Sequence, residues 1–398
     1  MSNIEILRQG IEDFGIEASD KMLADFQKYK EILVEWNQKM NLTGIEDEKE
    51  VFIKHFLDSV SAVTKGYIKN GMSLIDVGTG AGFPGMPLRI CLPELKVTFL
   101  DLYGNSNNQQ IGDSIFIEYG DIDILIDAGE KASGSCTVVP FLLEHVEDKK
   151  LEMIITTHAD SDHLGGMVGL SGKDMYGALE APGIEYQYIV DFGYEADSKV
   201  YKDYVELRNA RVQEGATYLN IKEIFNEENL EAAAHFYLGE DMFLDFLDYK
   251  TYGIADIDDD NDRSVSCLLT HGEKKILLCG DSEKKEESYL TKLNIGKVDV
   301  FKANHHGSPT SNTKNLLDQI RPEYVVICSS EENKYNLPKK TIISRFIEYT
   351  QNVYATFISG NIEVISKNNN ITITSVKALI PVQNSTWYLT DDPNNPIK

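Results

Sequence analysis

The sequence predicts a mixed α/β protein that opens on a helical segment. Apolar residues recur at helical spacing through about the first 70 positions. From Ser73 onward, short apolar stretches alternate with polar clusters. Those clusters fall at the ends of the expected strands, where α/β enzymes commonly place their chemistry.

The elements follow in chain order. "MLADFQKYKEILVEWNQKMNLT" sets Leu23, Phe26, Tyr29, Ile32, Leu33, Trp36 and Met40 at helical spacing, and "EVFIKHFLDSVSAV" repeats the pattern. Such stripes read as core packing. "SLIDVGTGAGFPGMPL" reads as a strand, a glycine-rich turn and a short helix, and "KVTFLD" as the next strand. The polar run 103–111 is a linker or a loop. "DSIFIEY" and "DILIDAG" are two strands around a tight turn near Gly120, and "LEMIITTH" is another. Residues 171–260 are acidic and mixed, with a helix around 198–214. "SVSCLLTHGEKKILLCGDS" predicts a hairpin turning near Gly272. "VDVFKANHHGS" and "PEYVVICSS" are strands that end in polar residues, and "TFISGNIEVISKNNNITITSV" closes as a further hairpin.

A length of 398 residues corresponds to two or three domains of about 100–200 residues each. With 64 acids against 38 bases the formal net charge is −26. That balance is poorly suited to holding nucleic acid by phosphate neutralisation alone, and suits metal binding or a substrate held through a cation. The five cysteines include no CxxC pair, so neither a disulfide framework nor a cysteine zinc site is expected. "MSNIEILRQG" lacks the layout of a signal peptide, and no apolar run approaches the ~20 residues of a membrane span. A reducing, cytoplasmic setting without membrane association is expected.

The sharpest feature is "THADSDHLGG", with His158, Asp160, Asp162 and His163 directly after a strand. Imidazoles and carboxylates are ligands for zinc and related divalent ions, and four of them on one turn can face two ions. Gly165 and Gly166 leave room for close approach of the chain. "LLCGDS" ends a strand at Asp281, and "FKANHHGS" ends another at His305 and His306. Asp127 in "ILIDAG" is either a ligand or an acceptor that holds a turn.

In this order and strand-end context, "LIDAG", "THADSDHLGG", "CGD" and "NHHGS" resemble the metallo-β-lactamase fold, and within it the metallohydrolase domain of ComEC-type proteins. The resemblance covers about 96–376 and implies an αββα sandwich. It further implies two divalent metal ions, zinc or manganese, with His158 and Asp160 on one and Asp162, His163 and His305 on the other. Asp281 would bridge them, and either His305 or His306 could serve as the ligand. Asp160 stands where the fold usually carries a second histidine. The usual mid-chain histidine is missing, so Asn261, Asp262 and Ser264 of "DNDRS" are its candidate replacements. The implied catalytic residues are Asp162 and His306, the latter as proton donor or substrate contact. The implied substrate is a phosphodiester or nucleic acid.

The first hundred residues carry other chemistry. A strand ending at Asp76, followed by Gly78, Gly80 and Gly82, has the form of a nucleotide-binding turn, and Asp101 ends the next strand where a ribose-binding acid would sit. "WNQKMNLTGI", "FIKHFLDSV" and "LIDVGTGAGFPGMPLRICLPELKVTFLD" together resemble the small-subunit (16S) rRNA 7-methylguanosine methyltransferase G family over residues 1–101. The resemblance implies that Gly78 and Phe83 contact S-adenosylmethionine. The family's continuation is absent, so the expected organisation is a helical part (1–72), a truncated Rossmann-like S-adenosylmethionine-binding βαβ (73–101), a hydrolase (96–376) and a C-terminal tail (377–398). The strand ending at Asp101 fits both families, and is expected in the hydrolase sheet because only that domain is complete. Two alternatives stay open. One is a working 16S rRNA guanine-N7 methyltransferase with an appended domain, the only reading that makes rRNA a partner. The other is a non-catalytic or rearranged fusion.

Overall fold

A computed structural model describes residues 2–16, 18, 20–40, 42–45, 47–64, 80–91, 95–172, 174–224, 234–239, 242–247, 260–367 and 369–389. The chain divides into two compact units. One is Met1–Leu95 with Glu118–Asp121 and Ser366–Asn370; the other is Lys96–Ile117, Ile122–Ile365 and Ile371–Lys398.

Up to Cys91 the described elements of the first unit are helices. Helix Asn3–Asp13 starts at Ser2, whose hydroxyl accepts from the Glu5 amide. That bond satisfies one of the donors a helix start leaves open. Asp47 caps helix Glu48–Val51 in the same way. The long helix Asp20–Met40 buries Leu23, Phe26, Tyr29 and Leu33 against Leu7, Ile11, Phe52 and Phe56. The stripe does not stay inside. Ile32 and Trp36 are each 47% exposed and Met40 is 62% exposed, so the helix outruns the core its pattern predicts. The segment "SLIDVG" and Gly78 lie outside the described residues.

The described strands are β1 (Leu95–Phe99), β2 (Ile115–Tyr119), β3 (Ile122–Ile126), β4 (Lys150–Thr156), β5 (Glu185–Asp191), β6 (Thr217–Asn220), β7 (His235–Tyr237), β8 (Met242–Leu247), β9 (Ser266–His271), β10 (Lys274–Leu278), β11 (Val300–Lys302), β12 (Tyr324–Ile327), β13 (Val353–Ala355), β14 (Ile362–Lys367) and β15 (Asn370–Ser375), and all but the strand ends Leu95, Glu118–Tyr119, Ser366–Lys367 and Asn370 fall in the second unit. They form an eight-stranded sheet in the order β15-β14-β1-β2-β3-β4-β5-β6 and a seven-stranded sheet in the order β13-β12-β11-β10-β9-β8-β7. The strand leading to Asp101 therefore lies between β14 and β2. Strands β3 to β6 run parallel, as do β10 to β13, while β9 and β10 form the hairpin at Gly272.

Parallel strands are buried on both faces and read as continuous apolar runs. Leu277, Phe301, Val325 and Val353 from neighbouring strands pack against Leu316, Leu317 and Ile320 of helix Lys314–Ile320 and against Ile342, Ile343 and Phe346 of helix Lys340–Ile347. Each fully buried side chain of this size contributes about 1.5–3 kcal/mol. Val382 is fully buried in the same core, and Trp387 meets Phe357 edge-on at 5.0 Å between ring centroids. Among the described residues no helix is long and apolar enough to cross a membrane.

Candidate metal centre

The parallel register of β3 and β4 sets Ile126 beside Ile155. The residues that follow, Asp127 on one strand and Thr157 and His158 on the other, therefore emerge at one edge. Asp127 turns there with φ 57°. Its carboxylate accepts from the Thr157 amide at 2.8 Å, the Thr157 hydroxyl at 2.6 Å and Nδ1 of His163 at 2.7 Å. Asp127 thus holds the turn and aims His163, and its oxygens are spent on hydrogen bonds. Helix Ser161–Val168 starts directly after Asp160 and carries Asp162 and His163 in its first turn. It lies close to the β3 turn because Gly166 has no side chain; a Cβ there would overlap the Ala128 carbonyl.

The other sheet supplies the rest by the same device. The parallel strands β10, β11 and β12 deliver Asp281, the turn Asn304–Gly307 and Cys328 to a common edge. His305 and His306 both take left-handed backbone, with φ 49° and 51°. For non-glycine residues this conformation costs roughly 1–2 kcal/mol each and persists where the surroundings over-determine it. Here Glu287 accepts from the Asn312 amide at 2.6 Å, the Thr313 amide at 2.7 Å and the Asn304 side chain at 2.9 Å, while the Asn304 amide donates to the Asn312 side chain at 2.9 Å. Nδ1 of His306 donates to the Cys328 carbonyl at 2.9 Å, which turns Nε2 inward.

The inward-facing atoms converge. Nε2 of His163 lies 3.3 Å from Nε2 of His306 and 3.3 Å from Oδ1 of Asp281. Nε2 of His306 lies 3.2 Å from Oδ2 of Asp281 and 3.4 Å from Oδ2 of Asp162. His158 is fully buried, and its Nε2 has no hydrogen-bond partner among the described residues. Two trios have donor atoms within 4.8 Å of one another: His158, His163 and Asp281, and Asp113, His163 and His306. An orphaned buried nitrogen, two facing imidazole nitrogens and a mixed N/O donor set fit a divalent ion.

The electrostatics agree. Burial drives the His158 pKa down to about 3. Burial also opposes charge on His163 and His306, but Asp281 and the neighbouring acids outweigh it and hold both imidazoles well above the ordinary value. Burial raises and nearby histidines lower Asp162 and Asp281; the histidines win, and both stay below the usual carboxylate range. Buried carboxylates in this number require cations close by.

His158, Asp162, His163, Asp281 and His306 are brought together. Asp160 sits at the solvent side, its side chain 53% exposed and Oδ2 3.9 Å from Nε2 of His158. Burial, then Asp162, raises its pKa. His305 stands at the rim, 23% exposed, with Nε2 3.8 Å from Asp281 and Nδ1 3.2 Å from Glu283 and 3.3 Å from the Thr310 hydroxyl. Ser264 lies behind the centre, 3.4 Å from Nδ1 of His158, and accepts from the Asp281 amide. Asp262 accepts from the amides of Glu283 and Glu286 at the start of helix Lys284–Leu290. Gly80, Gly82 and Phe83 lie ahead of helix Gly85–Cys91 in the first unit, with Phe83 stacked on His55 at 4.4 Å. Asp101 belongs to the second unit, where Tyr103, Gln109 and Lys377 reach its carboxylate and its amide donates to Asn361. Sequence reasoning missed Asp113, Lys302 and Glu283. Lys302 had a signal: a charged residue ending an apolar strand is costly to bury unless paired.

Residues 22–105 match the family described as rRNA small subunit methyltransferase G, and residues 108–230 match the metallo-beta-lactamase superfamily. The ribosomal RNA small subunit methyltransferase G of Alkaliphilus oremlandii is 56% identical over 97 residues, which are 24% of this chain and 41% of that protein. The protein of the same name from Caldanaerobacter subterraneus subsp. tengcongensis is 54% identical over 99 residues, 25% of this chain and 41% of that one. The chain thus spans about four tenths of the length of these curated relatives. Among solved structures, the metallo-beta-lactamase fold protein YhfI from Bacillus subtilis aligns over 71% of this chain and all of its own, at 13% identity and a TM-score of 0.41. Human tRNase Z, short form, aligns over the same share of this chain at 12% identity and a TM-score of 0.36. The chain is thus similar to the rRNA small subunit methyltransferase G family over residues 22–105 and to the metallo-beta-lactamase superfamily over residues 108–230.

Proposed function

We propose that residues 96–376 form a metal-dependent hydrolase that cleaves a phosphodiester, with residues 1–101 retained as an incomplete methyltransferase fragment. The observation that carries this reading is the convergence of the His163 and His306 Nε2 atoms on both oxygens of Asp281, with Asp162 alongside.

His158, Asp160 and Asp281 would hold one divalent ion, and Asp162, His163, His306 and Asp281 a second, zinc or manganese. Bound there, such ions lower the pKa of water and polarise a phosphoryl centre. The protein's own part is orientation. Asp127 and the Cys328 carbonyl fix the Nδ1 sides of His163 and His306, so both imidazoles present Nε2 inward. His306 is thereby assigned to the ligand set. On this reading His305, at the rim and braced by Glu283, would contact substrate and hand a proton to the leaving oxygen.

The test is the metal content and phosphodiesterase activity of the purified full chain and of Asp162→Ala. Bound divalent metal, with activity lost in the variant, is the expected result. A metal-free protein that binds S-adenosylmethionine tightly would overturn the reading. The methyltransferase alternative has less support: Asp101, the acid it assigns to the ribose, already receives hydrogen bonds from Tyr103, Gln109 and Lys377.

A further inference from the structure

Behind the centre lies a pair of charges that the hydrolase reading leaves unused. Asp113 and Lys302 form an ion pair with side chains only 1% and 0% exposed. Asp113 is brought there by its backbone: its amide donates to the Asp162 carbonyl at 3.2 Å, and its own carbonyl accepts from Gly129 at 2.9 Å. The preceding Gly112 permits this, because a Cβ at that position would overlap the Asp162 carbonyl oxygen. Its carboxylate then lies 3.4 Å from Nδ1 of His306 and 3.8 Å from Nδ1 of His163. Lys302 reaches the same carboxylate from β11, donates to the Gly280 carbonyl at 2.8 Å, and stands 3.5 Å from Oδ1 of Asp281.

A fully buried ion pair is weak as a stabilising device, since desolvation takes back much of its Coulombic gain. This pair instead touches the backs of two imidazoles whose fronts face each other. The Nδ1 protons of those rings go to Asp127 and the Cys328 carbonyl, so we propose that Asp113 acts on the centre through its charge, as a positioning residue facing the Nδ1 edges of both His163 and His306, and that Lys302 is the internal cation that pins the Asp113 carboxylate in that place. The proposal rests on the metal reading above. It adds that one carboxylate serves both imidazoles, and that its counter-charge is a lysine of the chain.

The experiment uses the full chain with Asp113→Asn, Lys302→Met and the double variant. Each is stripped with chelator and titrated with Co²⁺ against a competing chelator, followed by the visible absorption of bound cobalt, with circular dichroism to establish folding. Asp113→Asn is expected to lose about 10–100-fold in Co²⁺ affinity, the usual range for an outer partner of a ligating histidine, and to change the cobalt spectrum. Lys302→Met is expected to do the same. The double variant should match the worse single variant, because both act through one carboxylate. Wild-type affinity and spectrum in a folded Asp113→Asn protein would overturn the proposal, even if its Tm fell, since that is a merely structural role. Losses that multiply in the double variant would overturn it too. If Asp113→Asn does not fold, Lys302→Met carries the same test. Failure of the wild-type chain to bind Co²⁺ would instead sink the metal reading itself, which keeps the two failures apart.

Discussion

Oδ2 of Asp127 lies 2.7 Å from Nδ1 of His163, and the same carboxylate receives the Thr157 amide and hydroxyl. One acid therefore ties a strand end to a candidate metal ligand, and its removal should be felt twice. Asp127→Ala is expected to destabilise the second unit by about 1–3 kcal/mol for each buried donor left without an acceptor. It should also weaken metal binding about 10–100-fold. Urea unfolding of the metal-free protein and a chelator-competition titration separate the two effects. Unchanged metal affinity would show that His163 does not depend on this bond.

The two adjacent histidines should part company. His306→Ala is expected to lose bound metal, as read by elemental analysis. His305→Ala should keep its metal and lose about 10²–10⁴-fold in turnover of a phosphodiester, the ordinary contribution of a positioned proton donor. Metal lost equally from both variants would argue against the division.

Opposite pH slopes are expected with and without metal. His158 is neutral in the fold, its pKa driven down to about 3 by burial. Between about 6.5 and 3 the unfolded chain gains a proton there that the folded chain lacks, so stability falls as pH falls. His163 and His306 are shifted the other way: burial disfavours their charge, but Asp281 and nearby acids outweigh it. Their contribution is complete below about 6.5 and is lost as pH rises toward their folded values. On these three groups the metal-free protein is most stable near pH 6.5. Metal must displace the protons of His163 and His306, so the rise in Tm on adding Mn²⁺ or Zn²⁺ should grow with pH. Tm measured from pH 5 to 9, with chelator or with metal, checks both signs.

Gly166→Ala places a methyl group on the Ala128 carbonyl. Forced overpacking of this kind costs about 1–3 kcal/mol. The expected shift is a lower midpoint in urea, with weaker metal binding because the helix that carries Asp162 and His163 must move. A midpoint equal to wild type would mean that this contact relaxes freely.

The centre was legible in the sequence where its residues cluster at the ends of apolar strands. His158, Asp162, His163, Asp281 and the His305–His306 pair announce themselves because parallel strands gather their termini on one edge. Local spacing could not tell His305 from His306; the left-handed turn and the Cys328 carbonyl decide which ring points inward. Asp113 was hidden because it stands alone, two residues before β2, and its partners lie far away in the chain. The long N-terminal helix shows the opposite error. Its apolar spacing was read correctly as helix, but periodicity cannot say where the opposing core ends, and Trp36 and Met40 lie beyond it.

The pairing of His163 with His306 spans 143 positions of sequence, and the ring of the latter is set by a carbonyl after β12. No local stretch of the chain can hold this cluster in advance. Contacts of such long separation close late and slowly, because loop entropy must be overcome before they reward it. Nascent or partly folded forms of the second unit would therefore offer metal only isolated ligands. If the centre takes up metal as proposed, its capture would report that both sheets have finished assembling, and bound ions would slow the reverse journey by holding the two strand edges together.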